Sequence, residues 1–346
     1  MRISQPGRGG YSRHSNGFAI ALACVLAAVL AGLSLLFLTV GARDISMQAI
    51  GQSFTAYDPD NAAQLLVRTL RLLRLPRLLA ALLCGAGFAV SGALMQGVTN
   101  NPMASPSILG VNAGAGLGLA VAMIFFPDAE LTGTIFFSFA GAAVATFFIM
   151  AMAFRVSGSS SKVYLTLAGV AIGAIFSAIT QALVVFFDVA QDVSYWTAGG
   201  ISGIRMTQIA AVLPWVLAGF ILALFISRSV TLLTFGEEVA IGLGGKILRI
   251  RVLAGITVLL LSGAAVAVAG PVGFIGLVTP HMARYLVGID YRKVVPIAAL
   301  LGAILVVAAD MAARLISPPF EMPLGAVTAL IGVPFFLYLA NRKGMK

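Results

Sequence analysis

GPVGFIGLVTPHMARYLVG (residues 270–288) is a stretch that neither a lipid-facing helix nor a soluble loop would choose. Its first half is apolar and glycine-rich. Pro280 and His281 then interrupt it, and Arg284 follows. A lipid-facing helix avoids proline, which lacks a backbone N–H and clashes with the preceding turn. A loop in water avoids Phe-Ile-Gly-Leu-Val. Whether these residues cross a membrane decides the number of spans, and with it the side on which the chain ends.

Composition supplies the setting. Hydrophobic residues make up 60% of the 346, and charged residues only 10%, against about 25% charged in a soluble domain. The chain therefore reads as an all-α integral membrane protein. Its excess of 22 Lys and Arg over 12 Asp and Glu is a matter of membrane topology rather than of nucleic acid. Cys24 and Cys84 both lie in apolar runs, so no disulfide framework or metal cluster is readable.

The apolar run behind the basic tail MRISQPGRGGYSRHSNG exceeds the roughly 7–15 residues of a signal-peptide core. It reads as a retained first span. A crossing takes about 20 apolar residues, and ten segments meet or approach that length: 18–40, 77–98, 106–126, 133–154, 163–187, 207–227, 250–270, 272–288, 294–316 and 324–340. They form one unit over 18–340, between a basic tail (1–17) and a short end (341–346). With the N-terminus in the cytoplasm, inside segments take fifteen of the Lys and Arg and outside segments seven. That asymmetry sets orientation. Dropping the eighth span moves the basic C-terminus outside and weakens the bias, so ten spans with both ends cytoplasmic fit better.

The opening stretch is then the short eighth span, broken by Pro280 near its cytoplasmic end and buried where protein supplies the lost hydrogen bonds. Gly270, Gly273 and Gly276 would allow close helix approach, as would Gly85, Gly87, Gly92, Gly110, Gly114, Gly118, Gly169 and Gly173. GAGFAVSG (85–92) and GAAVAVAG (263–270) are alike and five spans apart, a faint hint of an inverted repeat.

Chemistry is next read by absence. The run nearest to G-x-x-x-x-G-K-[ST] is AIGLGGKI, which has Ala240 for the first glycine and Ile247 for the final Ser/Thr, so ATP is not held by this chain. His14 and His281 stand apart, offering no zinc or haem site, and His281 reads as structural. No nucleophile has a base to activate it. Asp310 is the one acid deep in a span, and Arg314 lies one turn on, where the two side chains can meet. RTLRLLRLPR (68–77) puts four arginines at an outer mouth, with Arg71 and Arg74 on one face if the segment is α-helical. The longest inside connection, SRSVTLLTFGEEVAIGLGGKILRIR (227–251), contains a short amphipathic helix that begins with acids and ends with glycines, suited to docking another protein.

GEEVAIGLG, then GPVGFIGLVTPHMARYLVGIDYRKVVP, ADMAARL and EMPLGAVTALIGVPFFLYL closely resemble the permease subunits of FecCD-type (type II) ABC importers for iron–siderophores, haem and cobalamin. RLPRLLAALLCGAGFAVSGALMQGVTNNPMASPSILGVNAGAG extends the likeness to the first half. The resemblance implies a dimeric ten-span permease in the bacterial cytoplasmic membrane, serving two ATPase subunits that carry ATP and Mg, and an extracytoplasmic binding protein. It implies no cofactor in this chain. It also implies coupling to the ATPase, through the 228–249 loop, by Gly236, Glu237, Glu238, Ala240 and Gly244. Docking of the binding protein is implied for Arg74 and Arg314, with Arg71 beside them, and a cytoplasmic gate near Ser159, Ser160 and Ser161. Ferric siderophore leads as cargo, ahead of haem and cobalamin. An ion-coupled secondary transporter would not need GEEVAIGLG, and a membrane-embedded enzyme would need a polar constellation that is not readable.

Overall fold

The structure, a computed structural model, describes residues 16–40, 46, 48, 50, 51, 65–153, 161–316 and 320–344. The first half contains α1 (Asn16–Thr39), α2 (Leu65–Thr99), α3 (Val111–Phe125), α4 (Leu131–Ala153), α5 (Ser161–Phe186) and the short α6 (Ala190–Thr197). The second contains α7 (Met206–Thr234), the short α8 (Glu237–Gly242), α9 (Ile247–Ala269), α10 (Ile275–Val287), α11 (Tyr291–Leu315) and α12 (Leu324–Gly344). No strand occurs among the described residues.

Each expected span coincides with a helix. Among the described residues, seven helices (α1, α2, α4, α5, α7, α9 and α11) are long and apolar enough to cross a membrane. The two helices α3 and α12 are apolar but shorter, the apolar part of α12 running Leu324–Leu337. The eighth, α10, has only 13 residues, about 20 Å at 1.5 Å per residue, against a hydrocarbon core about 30 Å thick.

The centre of the bundle is α2, the most buried of the seven long helices, and it packs against α7, α9, α10 and α11. Its small residues explain this position, because without a hydrophobic force between helices in lipid, close backbone approach supplies the packing. A Cβ placed on Gly85 would run into the Gly302 carbonyl of α11, and one on Gly302 into the Gly85 carbonyl. Gly92 meets Gly276 of α10 in the same way. By contrast α1 and α5 are almost bare, as helices facing lipid or another chain would be. The hint of close approach at Gly173 and Gly273 is not realised among the described residues, none of which lies within 4 Å of a Cβ at either.

Backbone hydrogen bonding accounts for the opening stretch. The α9 helix stops at Ala269, Gly270 turns at φ +68°, and Phe274 begins α10 at φ +67°. Phenylalanine rarely adopts a positive φ, so its neighbours must hold it there; its ring lies in the space that a side chain on Gly332 of α12 would need. The Ala269 carbonyl accepts from the Gly200 N–H at 2.8 Å. Further along α10, Pro280 cannot donate to Gly276, four residues back. The Gln96 side chain of α2 takes its place, its Nε2 donating to the carbonyls of Gly276 at 3.1 Å and Leu277 at 3.4 Å. Non-helical backbone at membrane depth is tolerable because protein satisfies it.

Candidate functional site

At the end of the bundle that the charge pattern assigns to the outside, two arginines converge on two acids. The carboxylate of Asp310 on α11, its side chain only 2% exposed, accepts from Arg77 Nε and Nη2, each at 2.9 Å. Arg314, one turn on, reaches the same carboxylate at 3.3 Å, so the expected pair forms as the weaker arm of a larger cluster. Arg77 also donates from Nη1 to Glu321 at 2.8 Å. That bond, opposed by partial burial, holds the Glu321 carboxyl below the ordinary carboxylate range. Arg77, Asp310 and Glu321 line a cavity of about 520 Å³ with Trp196, Gln191 and Gln208.

Arg74 departs from expectation. It is buried, and its Nη1 donates to the carbonyls of Leu38 at 2.6 Å and Thr39 at 3.0 Å. These lie in the last turn of α1, where carbonyls lack helical partners. Residues Leu70–Arg74 form a π turn, whose wider spacing rotates Arg74 away from Arg71. Arg68 and Arg71 stay exposed. The guanidinium of Arg314 sits 4.1 Å from the centre of the Phe37 ring, with its side chain 13% exposed. The basic surface expected from Arg71 and Arg74 is therefore Arg71's without Arg74, and Arg314 is mostly covered.

At the opposite end, α8 forms where the acidic first turn predicted it. Gly236 enters it at φ +110° and Gly244 leaves it at φ +81°. Ala240 is the buried foot of the helix, while Glu238, Val239, Ile241 and Leu243 face outward beside exposed Phe235. Glu237 turns back into the chain and accepts from Arg251 Nη2 at 2.7 Å. It therefore braces the loop, with its side chain still 25% exposed. Ser159 and Ser160 lie outside the described residues. Ser161 opens α5, and its side chain lies outside them too.

The same end holds a polar cluster that the residue pattern did not reveal. The Oε1 of Gln96 accepts from Arg284 Nη2 at 2.5 Å, and the Arg284 guanidinium also faces the Tyr291 hydroxyl. Tyr291 is fully buried, and its backbone N–H donates to Thr231 Oγ1 at 2.9 Å in the last turns of α7. Asp290 caps α11 by accepting from the Arg292 N–H at 3.1 Å. Burial alone would raise its carboxyl, but the bonds from Arg292 outweigh it and hold the group low.

The FecCD transport family profile matches residues 25–342. Among curated proteins, the iron(3+)-hydroxamate import system permease protein FhuB of Bacillus subtilis (strain 168) is 44% identical over 321 residues, 91% of this chain and 83% of that protein. The Fe(3+)-citrate import system permease protein YfmD of the same organism is 45% identical over 307 residues, 89% of this chain and 90% of that protein. A solved inward-facing structure of a metal-chelate type ABC transporter superposes with a TM-score of 0.80 at 28% identity, covering 93% of this chain and 99% of that one.

Proposed function

This chain belongs to the FecCD transport family, and from that premise we propose that it is the membrane permease of an ATP-driven importer of ferric chelates. The relatives named above are permeases for ferric hydroxamate and ferric citrate, which favours such cargo over haem or cobalamin. Both termini lie in the cytoplasm, and a second permease chain completes the pathway. ATP and Mg belong to two separate ATPase subunits, in keeping with the failed nucleotide-binding motif at 240–247. An extracytoplasmic protein delivers the cargo.

The observation that carries this reading is α8. It is a short helix whose foot, Ala240, is buried while an apolar row of Phe235, Val239, Ile241 and Leu243 stands uncovered. Such a row, rimmed by Glu238, suits a groove on a partner protein. Co-reconstitution of the permease with its ATPase and binding protein tests the reading through ATP-dependent uptake of ferric hydroxamate or citrate. Uptake that proceeds without ATP would instead make the chain a secondary transporter. Gly236→Leu forces a branched residue to φ +110°, at about 1–3 kcal/mol of local strain. Cargo-stimulated ATP hydrolysis should fall roughly tenfold or more while the protein stays in the membrane; unchanged stimulation would remove α8 from coupling.

On the outer face, docking of the binding protein is assigned to exposed Arg71, with Arg314 as a second, more covered contributor. Arg71→Glu should weaken that docking by about tenfold, the scale of one charge-assisted contact, without changing membrane content. Equal affinity of variant and parent in a pull-down titration would move the docking surface elsewhere.

A further inference from the structure

The cluster around Gln96 has a geometry that simple packing does not require. Pro280 leaves the Gly276 carbonyl without its helical donor, and Gln96 Nε2 supplies one from another helix. The same amide then uses its oxygen to receive Arg284, one turn past the proline on the same helix. Arg284 faces Tyr291 at the start of α11. A Cβ on Gly97 would come within 2.7 Å of the Tyr291 hydroxyl, so only glycine leaves room for the ring. Tyr291 in turn is tied to Thr231 of α7, and α7 runs directly into α8. Thr231, Tyr291, Arg284 and Gln96 thus lie in succession from the last turns of α7, just before α8, to the Pro280 region of α10, joined by the Thr231–Tyr291 and Arg284–Gln96 hydrogen bonds and by the facing of Arg284 and Tyr291.

One feature of this chain is unsatisfied. Arg284 Nη1 is buried and meets no acceptor among the described residues. A buried guanidinium nitrogen left bare is costly, the more so in a low dielectric. Helix α10 runs on through Pro280, but it lacks the backbone bond that Pro280 cannot make, and Arg284 lies one turn beyond that weak point.

We propose that Arg284 is a positioning residue for energy coupling, relaying displacement of α8 through Tyr291 and Gln96 to helix α10 at Pro280. The inference rests on the importer reading above. In the arrangement seen here Arg284 is held by Gln96 beside Tyr291, with Nη1 unused among the described residues. When the ATPase moves α8, the tie from Thr231 to Tyr291 carries that motion to the guanidinium. The guanidinium shifts the Pro280 hinge against Gln96, so that the pathway responds to the ATPase.

The test uses the permease co-reconstituted with its ATPase and cargo-loaded binding protein. It reads ATP hydrolysis with and without the loaded binding protein, together with thermal unfolding of the permease. Arg284→Lys keeps the positive charge and one donor for Gln96 but loses the second arm toward Tyr291. Its basal hydrolysis and unfolding temperature should stay near the parent's, while stimulation by cargo falls about tenfold, the size of one charge-assisted hydrogen bond. Pro280→Ala returns an N–H to the Gly276 carbonyl and releases Gln96. It should unfold no earlier than the parent, and yet also lose stimulation. The relay is overturned if both variants keep the parent's stimulated-to-basal ratio, or if both activities fall together in step with lost folded protein. A parent that shows no ATP-driven uptake at all would overturn the importer reading itself, a different result from uptake that survives both substitutions.

Discussion

Replacing Arg77 with methionine should destabilise the folded chain by about 3–5 kcal/mol, the cost of removing one member of a buried ion pair. Asp310 is almost wholly buried and depends on two short bonds from Arg77. Arg314 alone would remain, at 3.3 Å, and it is already committed to the Phe37 ring. The loss arises from a carboxylate stranded in a low dielectric rather than from the missing pair as such. The double variant Arg77→Met with Asp310→Leu should therefore recover most of the stability, because apolar residues of similar volume replace buried ion pairs at little cost. Thermal unfolding in detergent of the parent, the single and the double variant measures this. A double variant no more stable than the single would mean that Arg77 acts through packing or through Glu321 instead.

The same cluster shows where residue patterns mislead. Asp310 and Arg314 were legible as a pair because spacing along one helix is readable from sequence. Arg77, the stronger partner, is 233 residues away, and its adjacency depends on α2 and α11 lying antiparallel. Four arginines against the positive-inside trend were a visible signal, but they read as one surface. The π turn at Leu70–Arg74 separates them instead: Arg68 and Arg71 face out, Arg74 caps α1, and Arg77 enters the bundle. A single π turn carries no residue signature strong enough to foresee.

The eighth span shows the converse. Pro280 within an apolar run announced a buried helix broken near its cytoplasmic end; the helix is largely buried, but it runs unbroken through Pro280, and the interruption lies at 270–274 instead. What replaces the bond that Pro280 cannot make was not legible, since a glutamine in a glycine-rich span reads only as a tolerated polar residue. Its use appears once Gly92 and Gly276 bring α2 against α10, placing Gln96 one turn below their contact. Likewise the acidic start and glycine ends of α8 located the helix, but only the fold shows that Glu237 faces Arg251. The membrane class and the span positions were readable because hydrocarbon thickness dictates them. Partner choice inside the bundle is set by helix packing, which leaves a weaker trace.

The largest effect is expected for Gly302→Val, which should leave little or no folded permease in the membrane. Gly85 lies eight residues after Arg77 on α2, and Gly302 eight residues before Asp310 on α11, so ion pair and glycine pair belong to one antiparallel register. Gly97 against Tyr291 continues that register toward the opposite end. A side chain at position 302 would meet the Gly85 carbonyl and the Ala89 side chain, and one at position 85 would meet the Gly302 carbonyl. Those carbonyls are backbone and cannot rotate aside. Extra methylenes in a packed interior cost about 1–3 kcal/mol and occasionally more; here α2 and α11 must separate, which also opens the bonds from Arg77 to Asp310. Against a total stability of about 5–15 kcal/mol, the combined loss is expected to unfold or degrade the chain. Gly32→Val is the matched control, because nothing lies near Gly32 on α1, and its membrane content should stay within about twofold of the parent, as for surface substitutions generally. Membrane content and unfolding temperature of both variants decide the matter. If Gly302→Val accumulates and unfolds like Gly32→Val, α2 and α11 do not touch at these glycines. Arg77 and Asp310 would then have to be brought together by a different register.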